Sequence, residues 1–211
     1  MRAQVVTADL STDAGIDAVA ELCSSQPITM LVNNAGVAHY MPMAQLHADK
    51  ARELVRVKVI APTMLTRAAL PGMIARGAGT IVNVAGMIAF AGPAPASQMP
   101  RRAVYAGTPA PTVAMSQTLH AELEGKRVTV HVVCPGVVAT EFHEVQGTDL
   151  SAVPRMSAAD VVTAALTGIK LGGVVSAPGL EDYGLLEAVF GADLAALAGQ
   201  STQLASRYQA R

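Results

Sequence analysis

The sequence predicts an α/β fold in which a parallel β-sheet is covered by helices. Short runs of β-branched and aliphatic residues alternate with helical patterns along most of the 211 residues, the signature of βα units. Hydrophobic residues make up 51% of the chain, aromatics only 3%, and tryptophan is absent. The core must therefore be built from small and branched aliphatic side chains, which suits strands buried on both faces. The length suffices for one packed core and is short for two domains of usual size, so residues 1–211 are expected to form a single domain.

The first apolar run is Gln4-Val5-Val6-Thr7-Ala8, followed by a helix from Thr12 to Cys23 with Ser11 as its N-cap. The second run, Ile28 to Val32, ends in Asn33-Asn34-Ala35-Gly36, and a loop through Tyr40 and Pro42 leads to a long helical segment from Asp49 to Arg76. Gly79 to Val84 reads as a third strand, with a Gly/Pro/Ala-rich loop up to Arg102 behind it. A helix carries Val113 to Leu123, Val128 to Val133 makes a fourth strand, and Pro135-Gly136 closes that strand with a turn. A helix from Ala158 to Leu171, a last strand at Val174-Val175-Ser176 and a helical tail from Leu185 to Leu197 complete the order.

Composition excludes several function classes. A formal net charge of -1 with no run of Lys or Arg removes the electrostatic basis for binding nucleic acid or an anionic membrane. Cys23 and Cys134 show no paired spacing and read as reduced thiols, which points to the cytoplasm. Arg2 and Asp9 leave no apolar stretch for a signal peptide. The longest uncharged stretch, Gly77 to Pro100, holds Asn83, several glycines and three prolines, and so reads as a buried strand and a loop, not a membrane span.

Asn33-Asn34-Ala35-Gly36 after an apolar strand resembles the NNAG element of the short-chain dehydrogenase/reductase family. Taken alone it is also what an Asn-rich turn looks like. Four further stretches follow the family's order: Asp9, where an acidic residue lies near the adenine; Leu65 to Met73, like the end of the fourth helix; Thr80 to Val84, like the strand before the catalytic serine; and Tyr105, at the place of the catalytic tyrosine. Cys134 to Thr140 resembles the motif on the nicotinamide side. The resemblance implies a doubly wound, Rossmann-like parallel sheet, NAD or NADP as cofactor, an alcohol or carbonyl substrate, and a homo-oligomer. It places Asp9, Asn33, Asn34, Ala35, Gly36, Pro135, Gly136, Val138 and Thr140 at the dinucleotide. Thr140 is equally suited to cap the helix that follows, and the two roles are compatible.

Departures from the family pattern are as informative. No strand, glycine-rich turn and helix of the pyrophosphate-binding type precede Gln4. Matching Asp9 to the third strand implies that two βα units, about 60 residues on the scale of βαβ motifs, are missing from the start. Gly86 falls at the catalytic serine position, Pro109 at the lysine four residues beyond Tyr105, and Lys58 at the asparagine of the fourth helix. Pro109 and Pro111 cannot sit deep inside a helix, so the fifth helix should start near Thr108-Pro109 and leave Tyr105 in a loop or a distorted first turn.

Two residues are candidates to stand in for the lost groups: Lys58 for the positive charge, and Ser97 in the loop before Tyr105 for the hydroxyl. His39 faces the substrate side as a candidate acid or base. His47, His120, His131 and His143 have no metal-ligand spacing, and no metal is expected. The sequence therefore implies an NAD(P)-dependent oxidoreductase with an impaired or inactive site and weak or absent dinucleotide binding. The alternative is a non-catalytic scaffold or binding protein of the same fold. The first strand, short of its family neighbour, is expected to pair with the strand ending at Asn33, or that edge to be covered by another chain.

Overall fold

The computed structural model describes residues 3–94, 102–147 and 149–209, which divide into two compact units, residues 1–179 and 180–211. The first unit holds, in chain order, α1 (Asp13–Ser25), β1 (Met30–Asn33), α2 (Ala48–Val55), α3 (Ala61–Arg76), β2 (Gly79–Val84), α4 (Ala103–Gly107), α5 (Pro109–Glu122), β3 (Val128–Val133), β4 (Val138–Ala139), α6 (Phe142–Val145), β5 (Met156–Ser157), α7 (Ala158–Lys170) and β6 (Val175–Ser176). The second holds α8 (Gly184–Ala198) and a short 3-10 turn at Ser206–Tyr208.

The main sheet is parallel throughout, in the order β1-β2-β3-β6. Register aligns Leu31 with Ile81 and Asn33 with Asn83. Alternation along the strands then sends Ile81, Val128 and Val130 to one face, where they pack on Cys23 of α1, Leu65, Ala69 and Met73 of α3, and Leu119 of α5. Met73, Ile81 and Val132 are almost wholly buried. Helices on both faces give the predicted doubly wound α/β architecture, because α7 packs on the opposite face of β3. That packing is close enough to require Gly168, where a methyl group would stand 2.1 Å from Ser176 Oγ and 2.7 Å from His131 Cε1.

Several elements depart from the sequence expectation. Gln4 to Ala8 forms no strand. Val5 is 88% exposed, and β1 is an unpaired edge of the sheet among the described residues. Two valines supply β-propensity but no hydrogen-bond partner, and a strand exists only through its ladder. The cap of α1 is Thr12, whose hydroxyl accepts from Gly15 N at 3.0 Å, in place of Ser11. The predicted helix from Asp49 to Arg76 is interrupted by a π turn at Arg56–Ile60. At its far end Gly77 adopts the left-handed conformation (φ 63°), and Ala78 N reaches back to Met73 O at 3.2 Å, which closes the last turn. Both cysteines are free and buried, and among the described residues no helix is long and apolar enough to cross a membrane.

His131 is fully buried in β3. Its Nδ1–H donates to Gly173 O at 2.9 Å, which leaves Nε2 to accept from the Ser176 hydroxyl at 3.0 Å. Burial holds this imidazole below its ordinary value of 6.5 and so keeps it neutral. The unfolded chain takes up the proton first as pH falls, so this contribution to stability is fully present above 6.5 and is lost progressively below it. Denaturation midpoints measured from pH 7.5 to 5 should fall on acidification, and His131→Gln should flatten the upper part of that fall. An unchanged profile in the variant would contradict the assignment.

Candidate active site

Strands β1 and β2 end at a groove of about 240 Å³ lined by Leu10, Asn33, Asn34, Ala35, Val57, Lys58, Pro62, Ala85 and Thr112 among others. This is where parallel sheets present ligand sites, beyond the carboxyl ends of the strands. Asn34 and Ala35 are exposed to it. Asn33 turns its amide inward, donating to Asn83 Oδ1 at 2.8 Å and to Thr66 Oγ1 at 3.2 Å.

That amide begins a buried polar chain. Asn83 Nδ2 donates to Ser116 Oγ at 2.9 Å, Ser116 donates to Thr112 O at 2.7 Å, and the Thr112 hydroxyl donates to Lys58 O at 3.3 Å. Asn83 and Ser116 are inaccessible to solvent. The last link has a local cause. Residue 62 would give its N–H to the Lys58 carbonyl in an α-helix, but Pro62 has none and its ring crowds that carbonyl. The helix opens into the π turn at this point, and Thr112 reaches the carbonyl from α5.

The π turn carries the Lys58 side chain to Tyr105, where Nζ lies 5.3 Å from the ring centroid. Burial pushes the Lys58 ammonium below the ordinary lysine value of 10.5. Tyr105 sits in the five-residue α4, and α5 begins anew at Pro109, a first-turn position that needs no N–H. The break predicted from the prolines is present. Gly36 lies close beside this pair: a methyl group there would be in ordinary contact, 3.6 Å from both Lys58 Nζ and the Phe142 ring.

Tyr40 packs edge-on against Tyr105, with centroids 4.8 Å apart, and its hydroxyl shares a 3.2 Å hydrogen bond with His143 Nδ1. Burial, and after it the neighbouring Tyr105 hydroxyl, push Tyr40 above the ordinary tyrosine value. Burial and the cations of Arg155 and Arg102 hold His143 below 6.5. The Arg102 guanidinium covers the other part of the Tyr40 ring, 5.1 Å from its centroid.

The remaining candidates fall as follows. Gly86, at the serine position, abuts the Pro135-Gly136 turn through Met87 N→Pro135 O at 2.9 Å and offers no hydroxyl. Val138 belongs to the small β4–β5 ladder, and the Thr140 hydroxyl accepts from Phe142 N at 3.3 Å in the turn into α6, whose N-cap is Glu141. Asp9 accepts from Ser11 N at 2.9 Å, anchoring the turn into α1, and hydrogen bonds from the Ser11 side chain and then its backbone keep the carboxylate below the usual range. His39 pairs with Glu53 at 3.1 Å, and Ser97 lies outside the described residues. Among the described residues no group of three His, Cys, Asp or Glu is placed to hold a metal. Tyr40, His143 and Arg102 were not singled out by sequence. Tyr40 and His143 are 103 positions apart, and no spacing signals their meeting, although both follow the ends of parallel strands.

The short chain dehydrogenase family model matches residues 1–150. An inactive 2-(S)-hydroxypropyl-CoM dehydrogenase of Xanthobacter autotrophicus is 33% identical over 138 residues, covering 64% of this chain and 57% of the relative. A mouse very-long-chain 3-oxoacyl-CoA reductase is 30% identical over 147 residues, covering 68% of this chain and 45% of the relative. The chain thus spans about half the length of the curated relatives it matches. Among solved structures, a short-chain dehydrogenase from Sphingobium yanoikuyae in complex with NADPH aligns with a TM-score of 0.87 at 29% identity, over 95% of this chain and 78% of the other. A bulky-bulky ketone specific alcohol dehydrogenase from Comamonas testosteroni aligns with a TM-score of 0.86 at 26% identity, over 98% and 78%.

Asn83 is the junction of the buried polar chain. Asn83→Ala should leave one N–H of the Asn33 amide without its acceptor, at about 1–3 kcal/mol, while Thr66 keeps the other N–H and Ser116 keeps its bond to Thr112 O. Urea denaturation of the variant checks this; a loss under about 0.5 kcal/mol, the range of a neutral surface change, would contradict it.

Proposed function

Since the chain belongs to the short-chain dehydrogenase family of oxidoreductases, we propose that it interconverts an alcohol and a carbonyl compound at Tyr105, slowly, with Lys58 in the place of the family's lysine. The observation that carries this reading is the half-buried Lys58 ammonium 5.3 Å from the Tyr105 ring. That charge stands over the ring of the residue at the place of the family's catalytic tyrosine.

In the reductive direction the Tyr105 hydroxyl gives its proton to the carbonyl oxygen while Lys58 steadies the phenolate left behind. Leu10, Asn34 and Ala35 would hold the nicotinamide cofactor along the strand-end groove, and its reduced form would supply the hydride that completes the alcohol. Tyr40 holds the Tyr105 ring from the side. Gly86 places no hydroxyl where the family polarises the carbonyl, which supports a rate below that of a complete site.

The cofactor proposed is NAD(H) or NADP(H). Asn34, Ala35, Leu10 and Lys58 line the groove at the strand ends, a place and lining that suit a dinucleotide. The Sphingobium structure was obtained with NADPH. The 211 residues contain no glycine-rich turn between a strand and a helix to cradle a pyrophosphate, so the affinity of this polypeptide is proposed to be weak. A second reading, a non-catalytic protein of this fold, is favoured by the changes at Gly86 and Pro109 and by a relative that is itself described as inactive.

Carbonyl reduction at millimolar NADH or NADPH, followed for the parent, Tyr105→Phe and Lys58→Met, separates the two. The enzyme reading expects slow turnover in the parent, a nucleotide dependence that does not saturate at micromolar concentration, and a loss on the order of 100-fold in each variant. No turnover in the parent would establish the second reading, and equal turnover in all three folded chains would overturn the roles given to Tyr105 and Lys58.

A further inference from the structure

Arg102 is poorly accounted for by the protein around it. Its Nε is buried without a hydrogen-bond partner among the described residues, and its guanidinium lies on the Tyr40 ring. The ion pairs of the described residues engage Glu53 with His39 and Lys50, Asp49 with His47, and Asp13 with Arg56; none reaches Arg102 or Lys58. Asp149 lies near Arg155, so that cation has a neighbour of opposite sign. A guanidinium stays charged at any working pH, and a half-buried one without a counter-charge loses hydration for no return.

The position of Arg102 ties it to the reacting centre. Tyr40 is a wall shared by Arg102, at 5.1 Å, and Tyr105, at 4.8 Å between ring centroids. The Tyr40 hydroxyl and His143 continue the same wall with further polar atoms. Both residues lie against one ring, so a short molecule with its carbonyl at Tyr105 needs only to pass Tyr40 to reach Arg102. A guanidinium offers planar, two-pronged hydrogen bonding, and a carboxylate matches that geometry.

Resting on the reading that Tyr105 is the reacting group, we propose that Arg102 binds the carboxylate of the substrate, which makes the substrate class a short oxo acid or hydroxy acid, not a neutral ketone or alcohol. The carboxylate supplies the counter-charge that the folded chain withholds, and Tyr40 with His143 borders the carbon chain between the two ends.

The test is a ligand-observed NMR titration of the full chain with 4-oxopentanoate, whose carbonyl and carboxylate lie at opposite ends, with 2-pentanone and with inorganic phosphate, for the parent, Arg102→Met, Arg102→Lys and, as a control on an exposed turn before β3, Arg127→Met. The parent should bind 4-oxopentanoate about ten-fold or more tightly than 2-pentanone. Arg102→Met should abolish that preference, Arg102→Lys should keep part of it, and Arg127→Met should keep all of it. The lysine variant retains the aliphatic stem, so it still gives a reading if the methionine variant fails to fold. Equal binding of the two carbonyl compounds, no binding of either, or a preference that survives in both Arg102 variants would overturn the proposal. Displacement of 4-oxopentanoate by phosphate at equal concentration would overturn it too, by assigning Arg102 to a phosphate group. Turnover of 2-pentanone with NADPH reads the oxidoreductase proposal separately. Turnover without the carboxylate preference removes this inference alone, and the preference without turnover of either compound removes the other alone.

Discussion

The site depends on the run of hydrogen bonds from Asn33 through Asn83, Ser116 and Thr112 to the carbonyl of Lys58. Two of its members are wholly buried, and a buried amide or hydroxyl is tolerated only when its partners are in place. The chain therefore fixes three things together: the end of β1 where the groove begins, the face of α5 that follows the Pro109 break, and the π turn that aims Lys58. Pro62 makes the last link necessary. By withholding an N–H it frees the Lys58 carbonyl, opens the turn and leaves the carbonyl for Thr112.

In the proposed reading the π turn before α3 supplies the charge that α5 does not carry. Pro109 at the start of α5 forbids a lysine one turn beyond Tyr105, yet the same proline lets α4 stand as a separate turn that presents the Tyr105 ring to the neighbouring helix. Lys58 gains no carboxylate there among the described residues and is partly dehydrated, which is why its ammonium sits below the ordinary lysine value. Desolvation of this kind raises the effect of a charge on its neighbour because less water screens it. Arg102, against the Tyr40 ring, obeys the same physics, and neither cation is compensated by a carboxylate of the described residues.

Much of the fold was legible because it rests on local pattern. Gly79–Val84 and Val128–Val133 were bounded correctly from their β-branched runs, and the helix start at Pro109 followed from the geometry of proline. What failed was what depends on neighbours. Gln4 to Ala8 reads as a strand by composition but finds no ladder. The helix from Asp49 to Arg76 reads as continuous because a π turn changes hydrogen-bond partners, not hydrophobic periodicity, although Pro62 was a visible clue. In the candidate site, Lys58 could be named as a substitute by counting residues. Tyr40, His143 and Arg102 could not, since their meeting is made by loops from separate strands.

The central claim is that the π turn holds the Lys58 ammonium half-buried against the Tyr105 ring. NMR of the Lys58 ε-methylene group tests it most directly. The account predicts an upfield ring-current shift that vanishes in Tyr105→Leu, and a titration midpoint below the ordinary lysine value of 10.5. An unshifted ε-methylene signal with an ordinary midpoint, the same in parent and variant, would place Lys58 in solvent and contradict the account.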